Sequence, residues 1–143
     1  MICTFFGHRD APSSVEPKIR EIIELLIVAK DVTCFYVGNN GNFDSIVHRQ
    51  LRQLGEKYPH IRYYVVLAYM PTVKDEFDIT NYSETIYPEG LESVPPRFAI
   101  SKRNQWMVEK ADIVVTYVKY STGGAAQAKK LAERKGKTIV DIT

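Results

Sequence analysis

Ile2-Cys3-Thr4-Phe5-Phe6-Gly7-His8-Arg9-Asp10 is the stretch that sets the reading of the whole chain: a short, mostly apolar run, a glycine, then a polar cluster. Such a run stopped by glycine is the pattern of a buried strand ending at a tight turn. Behind it, Val15, Ile19, Ile22, Ile23, Leu26 and Ile27 recur with the period of a helix that lays one stripe on a sheet. Ser13-x-x-Glu16 has the form of a capping box, but Ser14 as N-cap keeps Pro17 in the first turn, where proline is tolerated.

The unit then repeats. Thr33 to Val37 is a second strand, closed by Gly38-Asn39-Asn40-Gly41, and Phe43, Ile46, Val47, Leu51 and Leu54 mark a second amphipathic helix. Ile61 to Leu67 is a third strand, so the order is βαβαβ with connections long enough for parallel, right-handed crossovers. From Ala68 to Pro96 the rhythm breaks, with prolines at 71, 88, 95 and 96 and several tyrosines; this predicts a long loop, either a flap over the ligand side or a surface excursion. A helix over 99–110, a strand over 113–118, a helix over 124–134 stopped by Gly136, and a strand over 138–142 complete the pattern. The expected fold is a Rossmann-like three-layer α/β/α sandwich with a mainly parallel five-stranded sheet, residues 1–143 forming one domain.

A length of 143 residues, 45% hydrophobic and 25% charged, is that of an ordinary globular domain. The net charge of +2 gives no bulk argument for a polyanion, so nucleic acid is the less expected partner, although a local basic cluster can still hold a phosphate. No apolar run is long enough to span a membrane, and the opening residues read as part of the fold, which points to a cytoplasmic protein. Cys3 and Cys34 lack CxxC spacing and read as inert core thiols. His8, His48 and His60 show no metal-ligand spacing, no GxSxG elbow or Cys/His nucleophile is present, and neither metal nor cofactor is expected.

Ligands of open parallel sheets sit outside the carboxyl ends of the strands, and three loops there are unusual. Gly7-His8-Arg9 puts an imidazole and a guanidinium at the tip of the first strand; Arg9 can grip a phosphate, and His8 can bond a base, a ribose or a phosphate. Gly38-Asn39-Asn40-Gly41 precedes Asp44, which either accepts ribose hydroxyls or simply complements the helix dipole. Thr122-Gly123-Gly124-Ala125-Ala126 clears side chains from a helix N-terminus, which suits phosphate or close packing; it is neither a Walker A loop nor GxGxxG. On the helix over 99–110, Arg103 and Asn104 fall on the apolar face with Ile100, Met107 and Ala111, so they are either paired internally or turned to a ligand, the latter favoured with Arg97 one turn earlier. Trp106 lies off that stripe and reads as packing.

Phe6-Gly7-His8-Arg9, Gly38 to Asp44, Pro88-Glu89-Gly90, Pro96 to Ile100, Arg103 to Met107 and Thr122 to Ala126, in that order, resemble the SLOG superfamily, and within it the small bacterial DUF1273 or YpsA-like proteins. The resemblance spans nearly the whole chain. It implies a Rossmannoid sheet, a nucleotide-type pocket and homo-oligomers. In the superfamily's Lonely Guy phosphoribohydrolases a Pro-Gly-Gly-x-Gly-Thr motif is followed by a catalytic glutamate; here Lys130 stands in its place, so phosphate binding at Gly123 and Gly124 carries over and the hydrolase glutamate does not. The expected function is therefore binding of a nucleotide-derived small molecule by Gly7, His8, Arg9, Gly38, Asn39, Gly41, Asp44, Arg97, Arg103, Asn104, Thr122, Gly123 and Gly124. Two alternatives stand beside it: a nucleotide N-glycosidase using Asp44 or Glu89, and a single-stranded nucleic-acid-binding module.

Overall fold

The computed structural model describes residues 1–70 and 85–143. Its six-stranded sheet is parallel throughout: β1 (Ile2–Gly7), β2 (Cys34–Val37), β3 (Arg62–Val66), β4 (Thr85–Ile86), β5 (Ile113–Tyr117) and β6 (Thr138–Asp141) lie in the order β4-β3-β2-β1-β5-β6. The fold is thus the Rossmann-like α/β architecture expected, with one correction. Five strands were expected and six are present among the described residues, because Thr85 and Ile86, inside the stretch read as loop, pair with Val65 and Val66. A two-residue edge strand is too short to leave a period in the sequence. Residues 71–84 of the expected flap lie outside the described residues.

Four helices connect the described strands: α1 (Glu16–Lys30), α2 (Asn42–Lys57), α3 (Ala99–Lys110) and α4 (Gly124–Arg134). Strand alternation sorts side chains to the two faces. Cys3, Phe5, Phe35, Val65, Ile113 and Val115 join the core with the apolar stripes of α1 and α2. Phe6, Val66 and Val114 point the other way, to Met107 and Val108 of α3 and Ala128 and Ala132 of α4. Because both faces are covered, the inner strands carry near-continuous apolar runs, which is why they were legible. Trp106 packs its ring 5.2 Å from that of Tyr36, a packing role as read. Cys3 is fully buried, and burial pushes its thiol up; Cys34 is half-buried and shifted in the same direction.

The start of α1 differs from the expected capping. Ser13–Val15 is a 3-10 turn, Val15 is the N-cap with no side-chain hydrogen bond, and Pro17 falls in the tolerant first turn. Glu16 is used elsewhere: it accepts two hydrogen bonds from Arg49, both 2.7 Å, and one from Gln50, fastening α1 to α2.

The chain runs outward from β1 to β4, then returns past β1 to lay down β5 and β6. The reversal at β1 opens a crevice at the carboxyl ends of β1, β2 and β5. Gly7, the last residue of β1, sits where α2 begins, and a Cβ there would overlap the buried ring of Phe43. Gly7→Ala is therefore expected to lose about 1–3 kcal/mol of stability. The result should be a lower urea midpoint with an unchanged slope; an unshifted midpoint would mean that the ring yields without cost.

Candidate functional site

The crevice holds a cavity of about 340 Å³. Its floor is apolar, made by Phe6 and Met107, and its walls carry His8 and Arg9 after β1, Asn40 and Asp44 after β2, Arg103 and Asn104 on α3, and Gly123 and Gly124 after β5. Residues from three separate loops and one helix are thus brought together, as anticipated for most of them.

Asp44 and Arg103 are both buried, at 8% and 3% exposure, and Asn40 joins them. Its backbone N–H donates to Asp44 Oδ2 at 2.9 Å, while its side-chain Oδ1 accepts from Arg103 Nη1 at 2.7 Å. Arg103 also donates to the Val66 carbonyl at 3.2 Å, to Asn39 Oδ1 at 3.5 Å and, through Nε, to Asn104 Oδ1 at 3.1 Å. Burial pulls the guanidinium below its ordinary value, partly countered by the Asp44 charge. Arg103 therefore answers both readings offered by its helical position: it is satisfied internally and it lines the cavity.

Burial pushes the Asp44 carboxyl up to about 6, against the lowering effects of the Asn40 hydrogen bond and of Arg103 and Arg9. Glu89, the other acid considered, is exposed and lines none of the cavities described.

His8 is 8% exposed, and its Nε2 accepts backbone N–H bonds from Lys119 at 2.8 Å and Tyr120 at 3.2 Å. Nε2 is thereby committed as an acceptor, so the proton of the neutral ring sits on Nδ1. The imidazole lies 4.4 Å from the Tyr120 ring, centre to centre. Arg9 is exposed, and its carbonyl accepts from Asn42 at 2.9 Å.

Gly38 and Gly41 have internal uses. A Cβ at Gly38 would meet Asp44 Oδ2 at 2.8 Å, and one at Gly41 would meet Arg9 Cα at 2.6 Å, so these glycines make room for the site's own residues. Gly123 differs: its φ of +100° caps α4 in a conformation that favours glycine, and nothing lies within 4 Å of its missing Cβ. The first N–H groups of α4 have no intrahelical acceptor, and Gly123, Gly124 and Ala125 line the cavity. Thr122 is exposed and lines no described cavity, and Asn39 lines a smaller cavity toward His48.

Arg97 lines a second space, a groove of about 470 Å³ between α3 and α4, and its guanidinium lies 4.8 Å over the Phe98 ring. Sequence reasoning missed this groove and its residues Lys130 and Arg134, together with Lys119 and Tyr120. The position of the last two directly after β5 was the available signal.

No family model and no curated protein matches the chain. Solved structures do. DNA processing protein A (DprA) from Streptococcus pneumoniae superposes with a TM-score of 0.72 at 15% identity, over 97% of this chain and 49% of that one. DprA from Helicobacter pylori, a structure described by its single-stranded DNA binding mode, gives 0.69 at 13% identity, over 99% of this chain and 64% of that one. The chain thus spans about half to under two thirds of these proteins, and at such identities the likeness shows a DprA-like fold. It also corrects two expectations, that the ligand is a nucleotide-derived small molecule and that nucleic acid is an unlikely partner, since a protein of this fold binds single-stranded DNA. The error lay in arguing from a net charge of +2, which averages over the surface and says nothing of one edge.

The Asp44 carboxyl gives a pH dependence with a definite sign. Its folded pKa of about 6 exceeds the ordinary 3.8, so folding favours the protonated form. This contribution is complete below the ordinary value and is lost as pH rises through about 6. Asp44→Asn, which can still accept the Asn40 N–H, should match the wild type near pH 4 and exceed its unfolding free energy by on the order of 3 kcal/mol near pH 7.5. Urea titrations at the two pH values measure this, and an equal effect at both would contradict it.

Proposed function

We propose that this domain binds single-stranded nucleic acid at the carboxyl edge of its sheet. The observation that carries the reading is the pairing, on one edge, of a cationic cavity with exposed aromatic rings. Most large apolar side chains are inside, yet Tyr69, Phe98 and Tyr120 are 48%, 47% and 54% exposed, all beside strand-end loops or the start of α3. Two are anchored: Tyr120 rests on His8, and the Tyr69 hydroxyl donates to the Pro96 carbonyl at 3.0 Å. An anchored, open ring is what an unpaired base needs for stacking, whereas a duplex hides its base faces.

The phosphates have separate partners in this reading. Arg9, exposed at the cavity wall, supplies a guanidinium, and the N–H groups without intrahelical acceptors at the start of α4 beside Gly123 and Gly124 supply directed donors. His8 acts through its ring, carrying Tyr120, since its Nε2 is already bonded. Arg103, Asn104 and Asp44 shape and polarise the wall. The superposition with a DprA that binds single-stranded DNA supports the reading at the level of fold. Within that fold group, the order of the sequence motifs supports assignment to the DUF1273 or YpsA-like type.

Fluorescence anisotropy with a labelled oligothymidylate tests the proposal. Saturable binding is expected to weaken as salt rises, with a log–log slope of about −0.7 per phosphate neutralised, and a duplex of the same length should bind less well. Absence of salt-dependent binding would refute the reading. Tyr120→Ala should weaken binding by about 5- to 150-fold, the cost of about 1–3 kcal/mol for one lost stacking partner, with stability little changed.

A further inference from the structure

The groove between α3 and α4 is not a separate feature of the surface. It shares Ile100, Asn104 and Gly124 with the strand-end cavity, so the two spaces adjoin across these residues. Its charge is one-sided: Arg97, Lys130 and Arg134 line it, with no carboxylate among its lining residues.

The rest of α4 makes that asymmetry informative. Lys129 is held by Asp141 at 2.7 Å, and Lys135, just past the helix, lies 4.0 Å from Glu109. These two basic residues of the α4 segment, which lie outside the groove, thus have carboxylate partners within the chain. Arg97, Lys130 and Arg134 form no ion pair with a carboxylate among the described residues. Gln127, Lys130, Leu131 and Arg134 follow the i, i+3, i+4, i+7 spacing of one helical face, and the face they make is a half-open groove with an apolar floor at Ile100, Ala128 and Leu131. Unpaired cations at the rim and an apolar strip beneath them suit a chain that alternates charged phosphates with sugars and bases.

We infer that this groove is the track along which a bound single strand leaves the strand-end cavity, its phosphates held by Lys130 and Arg134. The inference rests on the nucleic-acid reading above and extends it: the cavity takes one end of the footprint, and the α3–α4 groove takes the remainder. An anionic peptide is the competing occupant of such a surface, and the test separates the two.

The experiment compares labelled oligothymidylates of three and twelve nucleotides, binding to the full chain and to two double variants. The wild type should bind the longer oligonucleotide at least tenfold more tightly. Lys130→Gln with Arg134→Gln should bind the trinucleotide within twofold of wild type and lose most of the gain with length. Its salt slope for the twelve-nucleotide strand should be shallower by about 1.4, the contribution of two phosphate contacts. Lys129→Gln with Lys135→Gln removes the same charge from the same region outside the groove and should leave the length dependence intact.

Equal weakening by both double variants, or an unchanged length dependence in the first, overturns the track. So does competition by oligoglutamate as potent as that by unlabelled oligothymidylate of equal charge. If the wild type binds neither length, the nucleic-acid reading itself fails, an outcome distinct from loss of the track alone.

Discussion

The architecture of the site depends on how one buried cation is satisfied. At 3% exposure the Arg103 guanidinium has exchanged water for protein partners, and an unpaired charge in that position would cost several kcal/mol. Its bonds reach the Asn40 side chain after β2 and the Val66 carbonyl on β3, while Nε holds Asn104 on its own helix. One side chain therefore ties α3 to the ends of two strands. Gly38 leaves the space this requires, since a Cβ there would lie 3.0 Å from Arg103 Nη1. The width of the crevice between α3 and the sheet edge follows from that anchorage.

Asp44 belongs to the same network through Asn40 but responds to it differently. Arginine keeps its charge when buried, whereas a carboxyl can shed the cost by taking a proton, and burial raises Asp44 to about 6. The cavity therefore becomes less positive as pH rises through that value. Around this buried pair the exposed rim is cationic: Arg9 stands at the cavity, and Arg97, Lys130 and Arg134 stand along the groove. Lys130, exposed on α4, contributes positive charge to that rim.

The loops after β1 and β5 are joined by a second, smaller device. His8 accepts two backbone N–H bonds from Lys119 and Tyr120 and packs against the Tyr120 ring at a tilt of 34°. A histidine that reads in sequence as a free ligand-binding group is in the fold a bracket that fixes the position of an exposed aromatic side chain.

Apolar periodicity alone marks the inner strands, the four helices and the edge at which the candidate site lies. Buried parallel strands must be nearly continuous apolar runs, helices on a sheet must repeat every 3.6 residues, and both patterns survive in one dimension. Tertiary structure alone decided β4, because a two-residue strand is stabilised by its register with Val65 and Val66 rather than by its own pattern. It also decided that Gly38 and Gly41 yield space to Asp44, Arg103 and Arg9, and that Lys130 and Arg134 line the groove adjoining the cavity while Lys129 and Lys135 are paired elsewhere. The physical reason is the same in each case. Which charges remain unpaired, and which surfaces adjoin, depends on residues distant in the chain, and neither composition nor net charge records that adjacency.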